Sequence, residues 1–588
     1  MFYLIILFLD YDISLKGGFM SQADLIIRNG TIIDGSGGPE IVSDILIKDG
    51  FIEKIGNFDN SYNSKKEIDA SGFIVTPGFV DIHTHYDGQA TWDNYLSPSS
   101  WHGVTTALMG NCGVGFAPVR DDDHDKLISL MEGVEDIPEV VLTEGLDWQW
   151  NTFSDYLNVL DKRSYDMDIG AQIPHGALRL YVMGQRGADR EVATDDDIKK
   201  MAEISAEAIK SGAIGFTTSR TIFHKTSKGD LVPSFDAAGN ELIKIAEEIG
   251  KTGKGVLQLV SDFLGGYEEF KMLEEMVKVS GRPLSITLAQ TDGTKYGYKD
   301  LLNWIETSAN NGFPIRAQAA GRPIGLMLGL NLTLNPFSGH PSYVEISNLP
   351  FTERVKIMKT KEFKERILSE RGSSDNGLVK SILRNMDNIY LLDKIPDYEP
   401  LKEESLGSKA SKSNKDLNDY IYDVLLEDDG NALLYYPIGN YLDYSLDASL
   451  EMISSEHSLL GLGDGGAHCS TICDASFTTH MLTFWGRDRT RGKKLDLPWI
   501  IKSYTQDNAL AIGLKDRGVI AEGMKADINV IDFDNLTLYS PEILYDLPAG
   551  GKRLVQRVDG YKYTIVSGSI TYKDGVSTGE LPGKLIKA

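Results

Sequence analysis

Residues 81–85 of this 588-residue chain read Asp-Ile-His-Thr-His, and they decide the fold and the chemistry that we predict. They end an apolar, β-rich segment, and successive side chains of a strand point to opposite faces. His83 and His85 therefore share a face, where they can hold one metal ion between them. An isolated His-x-His pair is about as often two ordinary core or surface histidines as it is a metal site.

This pair does not stand alone. A Pro-Gly turn at 77–78 precedes it, and a loop that begins Tyr-Asp-Gly at 86–88 follows it. Two imidazoles at the mouth of a loop are typical of a barrel strand, whose carboxyl end faces the active site. We therefore favour an enzyme site.

The composition favours a large enzyme with a small-molecule substrate. With 588 residues, of which 41% are hydrophobic, the chain can bury a large core and form more than one domain. Its formal net charge of −26 would repel phosphate groups, which argues against nucleic acid or an anionic membrane surface as a partner.

The three cysteines are Cys112, Cys469 and Cys473, which give no disulfide framework and suit a reducing compartment. We therefore predict a cytoplasmic protein.

The apolar segment 1–9 is too short to span a bilayer and lacks the basic start of a signal peptide. Because Met20 is a plausible true start, we predict that residues 1–22 are a disordered extension.

Short apolar strands alternate with turns at both ends of the chain. The pattern in segment 23–75 predicts a small antiparallel sheet, and segment 515–588 shows the same alternation of short strands and turns. We predict that both ends build one small β-sandwich-like domain.

Between these ends, strand-like runs alternate with amphipathic helical runs, the pattern of a parallel sheet covered by helices. Their count predicts a (β/α)₈ TIM barrel over residues 76–514, with an inserted helical region at about 326–458 and an exposed loop at 402–418. The eight candidate strands are 79–85, 104–110, 169–173, 213–218, 255–260, 283–289, 314–319 and 459–463.

The eighth candidate strand ends in a glycine-rich turn that carries Asp464. At that end of the barrel, one carboxylate oxygen can touch a metal while the other takes a proton from bound water. An aspartate in an ordinary β-turn is the commoner alternative.

Taken together, these segments resemble the amidohydrolase superfamily, specifically the branch of the D-aminoacylases, which are N-acyl-D-amino-acid deacylases. The resemblance covers almost the whole chain from residue 23 to 587. It is carried by segments 24–30, 76–85, 110–113, 464–468, 518–527, 546–551 and 579–583.

The resemblance implies a metal-dependent hydrolase that cleaves the amide bond of a small N-acylated substrate. His83 and His85 match the ligands of the first strand, and Cys112 matches a cysteine that ligates or bridges metal in that branch. Asp464 matches the ligand and general base of the eighth strand. Imidazole, thiolate and carboxylate are ligands that zinc prefers. For Cys112, an inert buried thiol is the alternative.

The chain departs from the D-aminoacylases on strands five and six, which supply a histidine each in that branch but contain none here. We therefore predict one zinc ion rather than two. Asp262 and Gln290, which follow these strands, are candidates either to coordinate instead or to contact substrate. His175, His224 and His340 are poor substitutes by position.

Arg179 lies in a segment that resembles the D-aminoacylases, and two roles are open for it: to hold the substrate carboxylate or to form a salt bridge within a loop. Two other functions stay open: a non-catalytic amidohydrolase-like binding scaffold, and a hydrolase of another amide or a lactone.

Overall fold

The computed structural model describes residues 22–59, 62–292 and 294–588. The extension predicted at 1–22 lies outside these residues, apart from residue 22 itself. Within the described ranges, no helix combines the length and the apolar character that crossing a bilayer requires.

Eight parallel strands form one sheet in which neighbouring strands follow each other along the chain. The strands are, in order, Phe79–Asp81, Val104–Met109, Asp168–Pro174, Gly215–Arg220, Val256–Ser261, Leu284–Thr287, Ile315–Ala319 and Ser458–Leu460. Each lies within or beside a predicted strand, because each is a short, mostly buried run between turn residues. The sheet curls into the predicted (β/α)₈ barrel, and we number its members barrel strands one to eight.

Barrel strands one and eight meet just beyond their regular ends. Thr84 and Gly465 form a parallel bridge. The Asp464 N–H donates to the His83 carbonyl at 3.0 Å, and the His85 N–H donates to the Gly465 carbonyl at 2.7 Å. The segments that close the barrel are thus the ones that carry the predicted ligands.

Helices connect the barrel strands, as the alternating pattern of the sequence predicts. One begins after Thr194, whose side chain accepts the Asp197 N–H while the Asp197 carboxylate accepts the Thr194 N–H. This capping box satisfies free N–H groups at the helix start. The longer connecting helices are His124–Glu135, Phe153–Asp161, His175–Met183, Asp195–Ser211, Gly239–Lys251, Tyr267–Ser280 and Tyr298–Asn310. Shorter ones are Gln89–Trp92, Glu139–Gly145, Gln185–Ala188, Asp447–Ile453, Phe477–His480, Leu497–Lys502 and Asn508–Ala511.

The long connection between barrel strands seven and eight holds the predicted insertion. Its helices are Pro341–Ile346, Phe351–Met358, Lys361–Leu368, Gly377–Arg384, Leu406–Lys412 and Leu417–Leu425. They pack around a hydrophobic core separate from that of the barrel. The insertion also contains a three-stranded antiparallel sheet of Ile324–Leu328, Leu434–Gly439 and Tyr390–Leu391, which the sequence reading missed.

The exposed loop predicted at 402–418 is wrong, because most of this segment is helical. Its polar composition hides two caps: Ser405 accepts the Ser408 N–H, and Asp416 accepts N–H groups at the start of the next helix. Leu406 and Ala410 are buried and anchor the first of these helices.

Strands from both ends of the chain form one nine-stranded sheet with its own core. They are Ala23–Ile32, Ile41–Lys48, Phe51–Gly56, Ser64–Asp69, Ile74–Pro77, Ile528–Ile531, Tyr561–Val566, Ser569–Lys573 and Val576–Ser577. The sheet is mixed rather than purely antiparallel, because the first strand pairs in parallel with the fourth and fifth. A separate hairpin pairs Thr537–Leu547 with Gly551–Asp559. The domain boundaries at 75/76 and 514/515 stay predictions.

Candidate metal centre

His83 and His85 extend from barrel strand one, and both side chains are buried. Nδ1 of His83 lies 2.7 Å from Oε1 of Gln318, whose Nε2 donates to the Ser285 hydroxyl at 2.9 Å. Because the amide oxygen can only accept, it favours the His83 tautomer that carries the proton on Nδ1 and has its lone pair on Nε2. Nε2 of His83 is therefore the atom available to a metal ion.

Cys112 follows barrel strand two and faces this imidazole. Its Sγ lies 3.3 Å from Nε2 of His83. One ligand atom from each of His83, His85 and Cys112 lies within 4.8 Å of the other two. The structure thus brings together three of the four predicted ligands in one compact group.

The loop around Cys112 depends on a glycine. A Cβ added to Gly113 would lie 2.9 Å from the Ser219 backbone nitrogen of barrel strand four. Only glycine allows this approach without displacing the strand. Burial raises the pKa of the Cys112 thiol well above its usual value, and nearby carboxylates add to the effect. A bound cation acts in the opposite direction, since it stabilises the thiolate.

Asp464, which follows barrel strand eight, completes the predicted set. Its Oδ1 lies 3.4 Å from Nε2 of His83 and 3.6 Å from Nε2 of His85. Burial raises the pKa of this carboxyl, but the imidazoles of His85, His83 and His468 outweigh burial and hold the pKa well below its usual range. Asp464 is therefore a carboxylate at neutral pH.

The backbone is left-handed at Cys112, Asp464 and His468, with φ of 56°, 47° and 55°. Such conformations cost non-glycine residues about 1–3 kcal/mol each and concentrate at functional sites.

Two residues that the sequence reading did not assign to the site, Glu135 and His468, adjoin these ligands. Oε1 of Glu135 lies 3.3 Å from Nδ1 of His85, and its Oε2 lies 3.8 Å from Nε2 of His468. Nε2 of His468 lies in turn 3.8 Å from Oδ2 of Asp464. The predicted ligands thus border a second layer of one carboxyl group and one imidazole.

A periodicity signal in the sequence marks Glu135. It ends the helix His124–Glu135, and it lies four and eight residues after Met131 and Leu127, both of which are buried. Residues at this spacing share a helix face, so an acid on an otherwise apolar stripe indicates a buried carboxyl.

The cluster fits a zinc ion. His85 Nδ1, Glu135 Oε1 and Asp464 Oδ1 are buried and have no hydrogen-bond partner within the described part of the chain. The ion pairs of both acids in that part of the chain are with histidines, not with lysine or arginine. Two imidazoles, a thiol and a carboxylate are suitable zinc ligands, and the ion would supply the positive charge that the buried acids lack.

Arg179 is not free to hold a substrate and forms a salt bridge, which is the alternative that the sequence left open. The residue is 1% exposed, and Nη1 donates to both carboxylate oxygens of Glu241, at 2.6 and 2.5 Å. Nη2 donates to the Glu191 carbonyl at 2.7 Å. His175 also contacts Glu241, through Nε2 at 2.8 Å. Arg179 therefore belongs to a buried ion pair.

Asp262 lies outside the cluster but supports a loop beside it. Its carboxylate accepts the Thr221 hydroxyl and the Ile222 N–H, both at 2.7 Å. The same loop carries His224, whose pKa is lowered to about 3 by burial and by the imidazoles of His85 and others of the cluster. His224 thus lies nearer to the site than the sequence reading expected.

Gln290 is fully occupied by a different loop. Its Nε2 donates to Asp443 at 2.9 Å, and its Oε1 accepts the Leu442 N–H at 3.2 Å. Its backbone exchanges two hydrogen bonds with Asn440. The structure therefore does not place Gln290 among the ligands.

Barrel strand five presents Gln258 to the cluster in place of a histidine. Its Oε1 accepts the Cys112 N–H at 3.3 Å, and its Nε2 is buried without a partner among the residues described. An amide is a far weaker zinc ligand than an imidazole.

A mostly apolar cavity adjoins the cluster and extends towards the hairpin near the carboxyl end of the chain. Asp464 and His468 line one part of it. Its apolar lining includes Trp92, Ile137, Ile472, Leu547 and Leu554.

The sequence matches the model of a family described as "Amidohydrolase family" over residues 66–372 and 430–572. A D-aminoacylase of Alcaligenes xylosoxydans xylosoxydans is 26% identical over 392 residues, covering 65% of this chain and 73% of that protein.

Two solved structures share the fold. One is a D-aminoacylase, which is described as having a binuclear metal centre with one-metal activation and second-metal attenuation. Its TM-score is 0.62 and its sequence is 21% identical, and the match covers 96% of this chain and 100% of that one. The other is the N-acyl-D-glutamate deacylase of Bordetella bronchiseptica with zinc and a phosphonate inhibitor, with a TM-score of 0.61, 19% identity, and coverage of 97% and 100%.

Proposed function

Because the chain belongs to the amidohydrolase family and is an amide-hydrolysing enzyme, we propose that it removes the acyl group from N-acyl-D-amino acids. The observation that carries the proposal is the convergence of His83, His85, Cys112 and Asp464 at the carboxyl ends of barrel strands one, two and eight. The site borders a mostly apolar cavity, part of which is lined by Asp464 and His468.

The proposed site holds one zinc ion. His83, His85 and Asp464 would hold it, with Cys112 as the fourth ligand. Barrel strands five and six offer Gln258 and no histidine. One-metal activation, as described for the related D-aminoacylase, supports a single ion as sufficient. When bound, zinc polarises a carbonyl and lowers the pKa of water to roughly 7.

Asp464 performs the proton transfers in this proposal. It is ionised at neutral pH, so it can accept a proton from the water that attacks the amide carbonyl. The carbon–nitrogen bond then breaks, and Asp464 returns the proton to the leaving amine. The products are a carboxylic acid and a free amino acid.

The test begins with zinc content and hydrolysis of a panel of N-acyl-D-amino acids, with their L-enantiomers and simple lactones alongside. We expect about one zinc per chain. The Asp464→Asn variant should lose about 10²–10⁴-fold in kcat, the usual value of general acid–base catalysis. Asp488→Asn, at an exposed position, serves as a control.

Full turnover in Asp464→Asn would overturn the assigned base. Cleavage of lactones alone would move the proposal to another substrate class, and absence of both metal and turnover would favour a binding scaffold.

A further inference from the structure

Glu135 is an unusual group for the interior of a protein. It is 1% exposed, and its Oε1 has no hydrogen-bond partner in the described part of the chain. A buried carboxyl oxygen without a hydrogen-bond partner is unfavourable unless a neighbouring group replaces the water that it has lost.

The position of Glu135 is fixed relative to the proposed zinc ligands. Its carbonyl accepts the His468 N–H at 2.5 Å, and Asp136 accepts the Ser470 N–H at 2.8 Å. Both bonds join the end of the helix to the loop that carries Asp464. The helix end that carries the Glu135 side chain is therefore joined to the loop that carries a proposed ligand.

The two ligand imidazoles have matching environments. Nδ1 of His83 faces the amide oxygen of Gln318 at 2.7 Å, and Nδ1 of His85 faces Oε1 of Glu135 at 3.3 Å. Nδ1 of His85 has no other partner among the described residues. In each imidazole, an acceptor at Nδ1 leaves Nε2 free on the side of the cluster.

We propose that Glu135 is a positioning residue of the metal centre, which accepts the Nδ1–H of His85 and presents Nε2 of His85 to the ion. A small rotation of the imidazole aligns the N–H with the carboxylate. The carboxylate also makes the imidazole a better electron donor, and such outer partners typically contribute 10–100-fold to metal affinity. The inference rests on the proposed metal centre but not on the proposed substrate.

The experiment measures zinc affinity by competition with a chromogenic chelator, for the full chain and three variants. Glu135→Leu removes the acceptor, Glu135→Gln keeps a neutral one, and Asp125→Asn changes an exposed acid on the same helix. We expect a 10–100-fold loss for Glu135→Leu, a smaller loss for Glu135→Gln and none for Asp125→Asn. The metal-free Glu135→Leu protein should melt no lower than the parent, since an unpaired buried acid has been removed.

Cobalt substitution separates positioning from direct ligation. At saturating Co²⁺, the visible absorption of Glu135→Leu should match that of the parent, because the ligands are unchanged. A changed spectrum would make Glu135 itself a ligand, and unchanged zinc affinity in both Glu135 variants would remove its role; either result overturns the proposal. If Glu135→Leu does not fold, Glu135→Gln carries the same test. Failure of deacylation with zinc affinities as expected would refute only the proposed function.

Discussion

Two glutamates, Glu135 and Glu241, are completely buried beside a histidine, and their surroundings differ in one respect. Glu241 receives Arg179 and His175, and these two groups outweigh its burial and lower its pKa. In the described part of the chain the ion pairs of Glu135 are with histidines, and burial raises its pKa. The first group is electrically complete within these residues, whereas in our proposal a bound cation completes the second. Of two equally buried acids, the one without a lysine or arginine partner is thus the one beside the proposed metal centre.

The largest expected effect comes from breaking the complete group. Arg179→Ala removes the guanidinium from a buried ion pair and leaves Glu241 with His175, which costs about 3–5 kcal/mol of unfolding free energy. Because Arg179 does not contact the cluster, the folded protein should bind zinc with the affinity of the parent. Urea denaturation and chelator competition measure the two quantities. The double variant Arg179→Met with Glu241→Met should recover most of the stability.

Loss of zinc from folded Arg179→Ala would show that the ion pair with Glu241 and the proposed metal centre are coupled, and it would contradict the contrast drawn between Glu241 and Glu135.

A third buried acid, Asp166, tests the comparison through pH. It accepts the Leu96 N–H and the Tyr572 hydroxyl, both neutral donors, and burial raises its pKa to about 6. Because the folded pKa exceeds the unfolded one, near 3.8, the native state binds the proton more tightly. The resulting stability is complete below about pH 4 and is lost as pH rises to about 6, a difference of about 3 kcal/mol.

Asp166→Asn should remove this component, so the difference in unfolding free energy between parent and variant should change by about 3 kcal/mol between pH 4 and pH 7. Denaturation at both pH values measures it. A difference that is constant with pH would mean that neutral donors keep Asp166 ionised, as cationic partners do for Glu241.

The smallest expected effect concerns the neutral partner of a ligand. Gln318→Leu removes the acceptor from Nδ1 of His83 and should weaken zinc binding by about 10-fold, or about 1.4 kcal/mol. Chelator competition measures the change, and Gln318→Glu serves as the matched variant that keeps an acceptor. If Gln318→Leu costs more than Glu135→Leu, the carboxylate is not the more important of the two outer partners.

The sequence predicted the barrel because alternating strands and helices are local patterns that repeat eight times. It predicted His83, His85 and Asp464 because strand ends of a parallel barrel converge at one face, whatever their separation along the chain, whereas Cys112 was predicted from the resemblance to the D-aminoacylases. That convergence can be read from periodicity.

Ion pairs between residues far apart in sequence could not be predicted from periodicity. The substrate role stayed open for Arg179 because its partner Glu241 lies 62 residues away on a different helix. Glu135 was missed because it stands beside Asp136 at a helix end, where acids are usually solvated. The loop predicted at 402–418 was wrong because helix-capping side chains, rather than overall polarity, decide whether a short polar segment is helical.

The bridge between Thr84 and Gly465 joins the first and last strands of the barrel, and ligands flank it on both sides. An ion held there would act as a reversible crosslink between distant parts of the chain. A crosslink that closes a long loop removes the most conformational freedom from the unfolded chain. The zinc concentration would then determine how long the barrel stays closed as well as whether the site is active. Amide hydrogen exchange in the first and eighth barrel strands should slow when zinc binds, before any substrate is present.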